Sequence, residues 1–142
     1  MRRVLVVEDS ASARAFVKAI LEDEIFAKLA GGCEVVEATC GFDAMRLLPR
    51  GSYDLIVTDI NMADINGLEL IHFIRKSEHH ASTPLVIIST QAADRDVERG
   101  LALGANAYLA KPFTPEQLRE TCSKLLAKAP GGQPAPPRPS VP

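Results

Sequence analysis

Two observations predict an α/β fold built on a doubly wound, five-stranded parallel sheet. The apolar runs Val4-Leu5-Val6-Val7, Leu55-Ile56-Val57 and Leu85-Val86-Ile87-Ile88 do not alternate with polar residues, which is the pattern of strands buried on both faces. Amphipathic helical periodicity recurs around them. Ala13, Phe16, Val17, Ile20 and Leu21 follow i, i+3, i+4, i+7, i+8 spacing, and Leu118, Cys122, Leu125 and Leu126 repeat that stripe near the end. Strand and helix therefore alternate five times, with helices covering both faces of the sheet.

The remaining elements follow in order. A second strand is expected near Glu34–Ala38, a helix from about 42 to 48, another from about 68 to 76 and a fourth from about 94 to 103. The fifth strand is Ala107-Tyr108-Leu109-Ala110. The last helix has the clearest start: Thr114 stands at the N-cap, Pro115 at the first helical position and Gln117 three residues on. That is a capping box, with proline where its missing N–H costs nothing.

With 142 residues the chain fits one domain, assigned to 1–129. Residues 130–142 carry six prolines and two glycines and cannot contribute to a core, so they read as a disordered tail whose PxxP spacing would suit a polyproline ligand or a tether. A net charge of −2 argues against a nucleic-acid partner held by general positive potential. Cys33, Cys40 and Cys122 form no CxxC pair and suit reduced thiols. After Arg2-Arg3 only four apolar residues precede Glu8, too few for a signal-peptide core or a membrane insertion, so a cytoplasmic protein is expected. His72, His79 and His80 have no carboxylate at ligand spacing and are expected to be exposed.

The chemistry collects at strand ends. Glu8-Asp9 follows the first run, Asp59 the third, Ser89-Thr90 the fourth and Lys111-Pro112 the fifth. In open α/β sheets ligands bind beyond the carboxyl ends of the strands. Three carboxylates meeting there repel by about 4 kcal/mol per pair at roughly 4 Å and an effective dielectric of ~20, so the cluster calls for a divalent cation. Mg²⁺ suits it, because it takes oxygen ligands, keeps waters and accepts phosphate oxygens.

Acid pair, Asp, Ser/Thr and Lys-Pro in this order resemble the receiver domain of two-component response regulators, in particular the single-domain chemotaxis type, over residues 2 to about 129. The resemblance implies a flavodoxin-like (βα)5 fold with strand order 2-1-3-4-5. It implies Asp59 as phosphoacceptor from a histidine-kinase phosphohistidine, and Mg²⁺ held by Glu8, Asp9, Asp59 and the backbone carbonyl of Asn61. Lys111 would neutralise the phosphoryl group, Ser89 would be the switch hydroxyl and Tyr108 the aromatic that turns inward with it. Asn61 and Gln91 would tune dephosphorylation. A downstream protein would read the face of the fourth helix, fifth strand and fifth helix. The protein would be a phosphoacceptor and not a dedicated enzyme.

This chain departs from the family pattern in several places. Serine replaces the commoner threonine at 89, Thr90 is larger than usual, and Ala63 stands where proline is usual, leaving that turn less fixed in φ. The stretch 9–41 is also longer than in compact chemotaxis members, which suggests a longer first helix and a Gly31-Gly32 turn. Two other function classes stay open at this level. An aspartyl-phosphate phosphatase of haloacid-dehalogenase type would want an acid where Asn61 stands. A pseudo-receiver, kept only for protein interaction, would be expected to lose Asp59 or Lys111.

Overall fold

The computed structural model describes residues 2–62, 64–89 and 94–128. Strands β1 (Arg2–Val7), β2 (Cys33–Ala38), β3 (Leu55–Asp59), β4 (Leu85–Ser89) and β5 (Ala107–Ala110) form one parallel sheet in the order β2-β1-β3-β4-β5. Helices α1 (Ala11–Leu21), α2 (Glu24–Ala30) and α6 (Pro115–Lys128) cover one face. Helices α3 (Gly41–Leu47), α4 (Gly67–Lys76) and α5 (Asp94–Leu103) belong to the other. The doubly wound fold and strand order expected from the sequence are those observed.

Each central strand feeds two cores, which is why its apolar run is continuous. Val4, Val6, Val57, Val86 and Ile88 pack with Val17, Ile20 and Leu21 of α1, Phe26 of α2 and Leu118 and Cys122 of α6. Leu5, Val7, Ile56, Leu85 and Ile87 pack the opposite way, against Ala44 of α3 and Leu70, Ile71 and Ile74 of α4. Each fully buried Leu, Ile or Val contributes about 1.5–3 kcal/mol. At the other end of the sheet, Arg75 ties α4 to two strand entrances, donating to the carbonyls of Gly104 (2.7 Å), His80 (2.9 Å) and Thr83 (2.7 Å).

The register aligns the functional ends. Val7 lies opposite Thr58, so Glu8 falls beside Asp59; Asp59 pairs with Ile88, and Ser89 with Ala110. The Lys111 N–H then donates to the Ser89 carbonyl at 2.7 Å. Four strand ends thus deliver their polar residues to one edge. The capping box also forms as expected, with Gln117 N–H donating to Thr114 Oγ1 (3.1 Å) and Thr114 N–H to Gln117 Oε1 (2.8 Å).

Two expectations need correction. The extra residues of 9–41 do not lengthen the first helix; they form a separate one. Asp23 caps α2 by accepting from the Phe26 N–H at 2.8 Å, its other oxygen meets Arg119 of α6 at 2.7 Å, and Phe26 is fully buried. A straight α1 could not have placed Phe26 under α6. Gly31 and Gly32 then turn the chain with φ of 81° and 92°, a region that glycine enters without steric cost. The fourth and fifth helices of the sequence reading are therefore α5 and α6.

His80 is the second correction: His72 and His79 are exposed, but His80 is buried. Its Nε2 lies 3.0 Å from the Leu48 carbonyl and its Nδ1 3.3 Å from Thr83 Oγ1. Burial holds its pKa below the ordinary 6.5, against the pull of that carbonyl. The unfolded chain therefore takes up this proton first as pH falls. The stabilisation is complete above 6.5 and is lost as pH drops through the lower folded value. His80→Gln is expected to lose less stability than wild type between about pH 7 and pH 5, read from urea midpoints at each pH. Parallel pH profiles for the two proteins would refute the assignment.

Candidate functional site

Glu8, next after β1, is 1% exposed, and Asp59, closing β3, is 5% exposed; Asp9 faces solvent. One carboxylate oxygen from each lies within 4.8 Å of the other two. An octahedral Mg²⁺ with bonds of about 2.1 Å sets its oxygens roughly 3 to 4.2 Å apart, so three hard oxygen donors at this separation fit that ion. Among the described residues no His or Cys joins them, as a zinc centre would call for.

Lys111 bridges the buried pair, donating to Glu8 Oε1 and, at 3.1 Å, to Asp59 Oδ2. Burial works against its charge, but the Glu8 hydrogen bond and the Asp59 anion outweigh it and raise its pKa. Burial pushes the Glu8 carboxyl up more than Lys111 and the Ser10 N–H draw it down, and Asp59 adds to the rise. Glu8 is raised chiefly by its own burial, and Lys111 by the two carboxylates that share its ammonium.

The loops fix these groups from both sides. Ser10 donates its N–H to Glu8 Oε2 at 3.0 Å and accepts from Ala13 N–H as the N-cap of α1. Arg14 holds the Glu8 carbonyl at 2.8 Å. Beyond β3, the Asn61 N–H donates to Asp59 Oδ1 at 3.0 Å and its Nδ2 to Ser89 Oγ at 3.3 Å, which links the acid to the hydroxyl. Gly67 closes this loop by donating to the Ile60 carbonyl at 2.8 Å. A Cβ on Gly67 would stand 2.5 Å from Ile60 Cα and 2.6 Å from the Asp59 carbonyl, so only glycine fits there.

Glu8, Asp9, Asp59, Asn61, Ser89 and Lys111 therefore share one edge, as expected. Tyr108 is half-buried against the core that holds Ile87, its register partner on β4. Gln91 lies outside the described residues, as do Thr90, Ala63 and the expected tail. Arg14 and Gly67 are parts of the site that the sequence reading missed. Arg14 resembles any helix-surface arginine in sequence, while Asn66-Gly67 before a helical stripe was a usable signal of a tight approach.

Residues 4–123 match the family model of the response regulator receiver domain. The chain belongs to that family. It is similar to a chemotaxis protein CheY homolog of Campylobacter jejuni, 32% identical over 130 residues that cover 91% of this chain and 95% of that protein. Among solved structures it resembles the chemotaxis protein CheY4 of Vibrio cholerae, with a TM-score of 0.79, 32% identity and coverage of 88% and 98% of the two chains. It also resembles the receiver domain of a sensor histidine kinase of Pseudomonas aeruginosa, solved with a magnesium ion coordinated in its active-site cleft (TM-score 0.76, 27% identity, 89% and 98% covered). This is a receiver domain of two-component signalling, of CheY type, and no helix among the described residues is long and apolar enough to cross a membrane.

Lys111 is the counter-charge in contact with the two buried carboxylates of the receiver site. Lys111→Ala should cost about 3 kcal/mol in metal-free buffer, because it strands Glu8 as a buried unpaired anion. Adding Glu8→Gln should return most of that loss. Urea unfolding of the two single variants and the double variant measures the coupling, and additive losses would show that the pair is not an energetic unit.

Proposed function

We propose that this receiver takes a phosphoryl group onto Asp59 from a histidine-kinase phosphohistidine in the cytoplasm, and passes the change to a downstream protein. The observation that carries the reading is a buried Asp59 carboxylate at the end of β3, 3.1 Å from Lys111 Nζ and within 4.8 Å of two further carboxylates.

In this reading an Asp59 oxygen attacks phosphorus while the P–N bond to the donor imidazole breaks. The bonding pair stays on the ring nitrogen, and an acyl phosphate forms on Asp59. Glu8, Asp9, Asp59 and the Asn61 carbonyl would hold Mg²⁺, which supplies charge neutralisation at the transferring oxygens. Lys111 exchanges one carboxylate contact for a phosphoryl oxygen. Ser89, whose Oγ accepts from Asn61, has its own proton to donate to the new group. The phosphoryl group adds nearly two negative charges, enough to bias a two-state loop.

Tyr108 then turns inward as Ser89 moves, and the face of α5, β5 and α6 changes shape for its partner. Asn61 and Gln91 flank the approach of hydrolysing water and set the lifetime. The protein acts as a phosphoacceptor, with slow self-dephosphorylation and no dedicated enzymatic role.

Asp59→Asn should abolish Mg²⁺-dependent labelling by acetyl phosphate, and excess EDTA should abolish labelling of wild type. Full labelling in either case defeats the assignment, and an unlabelled wild type would favour a pure interaction module. Ser89→Ala separates chemistry from signal. It should still be phosphorylated, while the amide shift changes that beryllofluoride induces across α5, β5 and α6 shrink by at least about half. Undiminished changes would remove Ser89 from the switch.

A further inference from the structure

The seven-residue helix α3 has no cap of its own: Cys40, at its N-cap position, makes no side-chain cap hydrogen bond. The cap comes from Asp64, in the loop that follows the phosphoacceptor. Its Oδ1 accepts from the N–H of Gly41 (3.2 Å) and of Ile65 (2.8 Å), its Oδ2 from the N–H of Phe42 (2.9 Å), and the Cys40 thiol also donates to it. These donors draw the Asp64 carboxyl down to about 2, so it stays an acceptor at any working pH. Gly41 makes the approach possible. A Cβ there would stand 1.6 Å from Cγ2 of the buried Ile65.

The loop is thereby held at two places. Its base is closed by Gly67 on the Ile60 carbonyl, and its outer part is pinned to α3 through Asp64 and Ile65. Between them sits the exposed Asn61, which contacts both Asp59 and Ser89. We propose that Asp64 is a positioning residue for phosphoryl transfer, clasping the loop to α3 and so fixing Asn61 against Asp59 and Ser89. The role in transfer rests on Asp59 being the phosphoacceptor; the clasp itself does not.

Cys40, at the start of α3, supplies a second readout, and Gly41→Ala reads it with the Asp64 carboxylate still present. Cys33 and Cys122 are buried, and burial pushes their thiols up to about 11 and about 12, which leaves half-buried Cys40 as the accessible thiol. The test uses the full chain as wild type, Asp64→Ala, Gly41→Ala and Asp64→Asn, well below the melting temperature of each. Iodoacetamide alkylation of Cys40 is measured alongside the rate of acetyl phosphate labelling at saturating donor and Mg²⁺.

Asp64→Ala and Gly41→Ala should both speed alkylation several-fold and slow saturated labelling by about tenfold. Asp64→Asn keeps one accepting oxygen, but its NH2 faces a backbone N–H where the second carboxylate oxygen now accepts, so both effects should fall between those of wild type and Asp64→Ala. Faster alkylation with unchanged labelling would leave a clasp without a positioning role and overturn the proposal. Unchanged alkylation in both variants would overturn the clasp itself. If wild type is not labelled at all, the phosphoacceptor reading fails and takes the positioning role with it, while the alkylation rates still decide the clasp.

Discussion

Like charges brought together at one sheet edge are the constraint on which the rest of the structure depends. The register of β1 against β3 forces Glu8 beside Asp59, and both strands are buried on both faces, so neither can slide to relieve the repulsion. The cation that contacts both carboxylates is Lys111, carried by β5 from beyond β4. A charge placed that far along the sheet makes the edge strand part of the active edge. Through Lys111 the Asp59 carboxylate is tied to the end of β5.

The uneven burial of the sheet gives that coupling a direction. β3 and β4 are buried throughout, whereas the residues of β5 are half-buried or exposed. Movement at the centre would break two cores at once. Movement at β5 exposes far less apolar surface, so a perturbation at the carboxyl edge has its least costly outlet there. The opposite margin is reinforced: α2 buries Phe26 and pairs Asp23 with Arg119 of α6, stiffening the side on which α1 and α6 meet.

The loop after Asp59 joins these two regimes. Its residues are largely exposed, yet nearly every polar group it carries is committed: Asn61 to the acid and the hydroxyl, Asp64 to α3, Asn66 to the first turn of α4 at 2.8 Å. Such a segment is held by hydrogen bonds and close approach of backbone, with Ile60 and Ile65 as buried anchors. Its hydrogen bonds can change partners without dismantling a core.

The sequence by itself determined the fold class and the strand ends that carry Glu8, Asp9, Asp59, Ser89 and Lys111. Continuous apolar runs can be satisfied only by strands covered on both faces, and the polar residue directly after each run is placed by the period of the strand and the common direction of a parallel sheet. The last helix was equally legible, since Thr114, Pro115 and Gln117 act over three residues. What only the tertiary structure decided are the partners supplied from a distance. Phe26 and Asp23 needed α6 beside them before their stretch became a second helix; His80 needed the Leu48 carbonyl and Thr83 before it became a core residue. Asp64 needed the uncapped start of α3, more than twenty residues away, before its carboxylate meant anything. Each of these roles depends on which unsatisfied group the fold brings within hydrogen-bond reach, and local sequence carries no record of that.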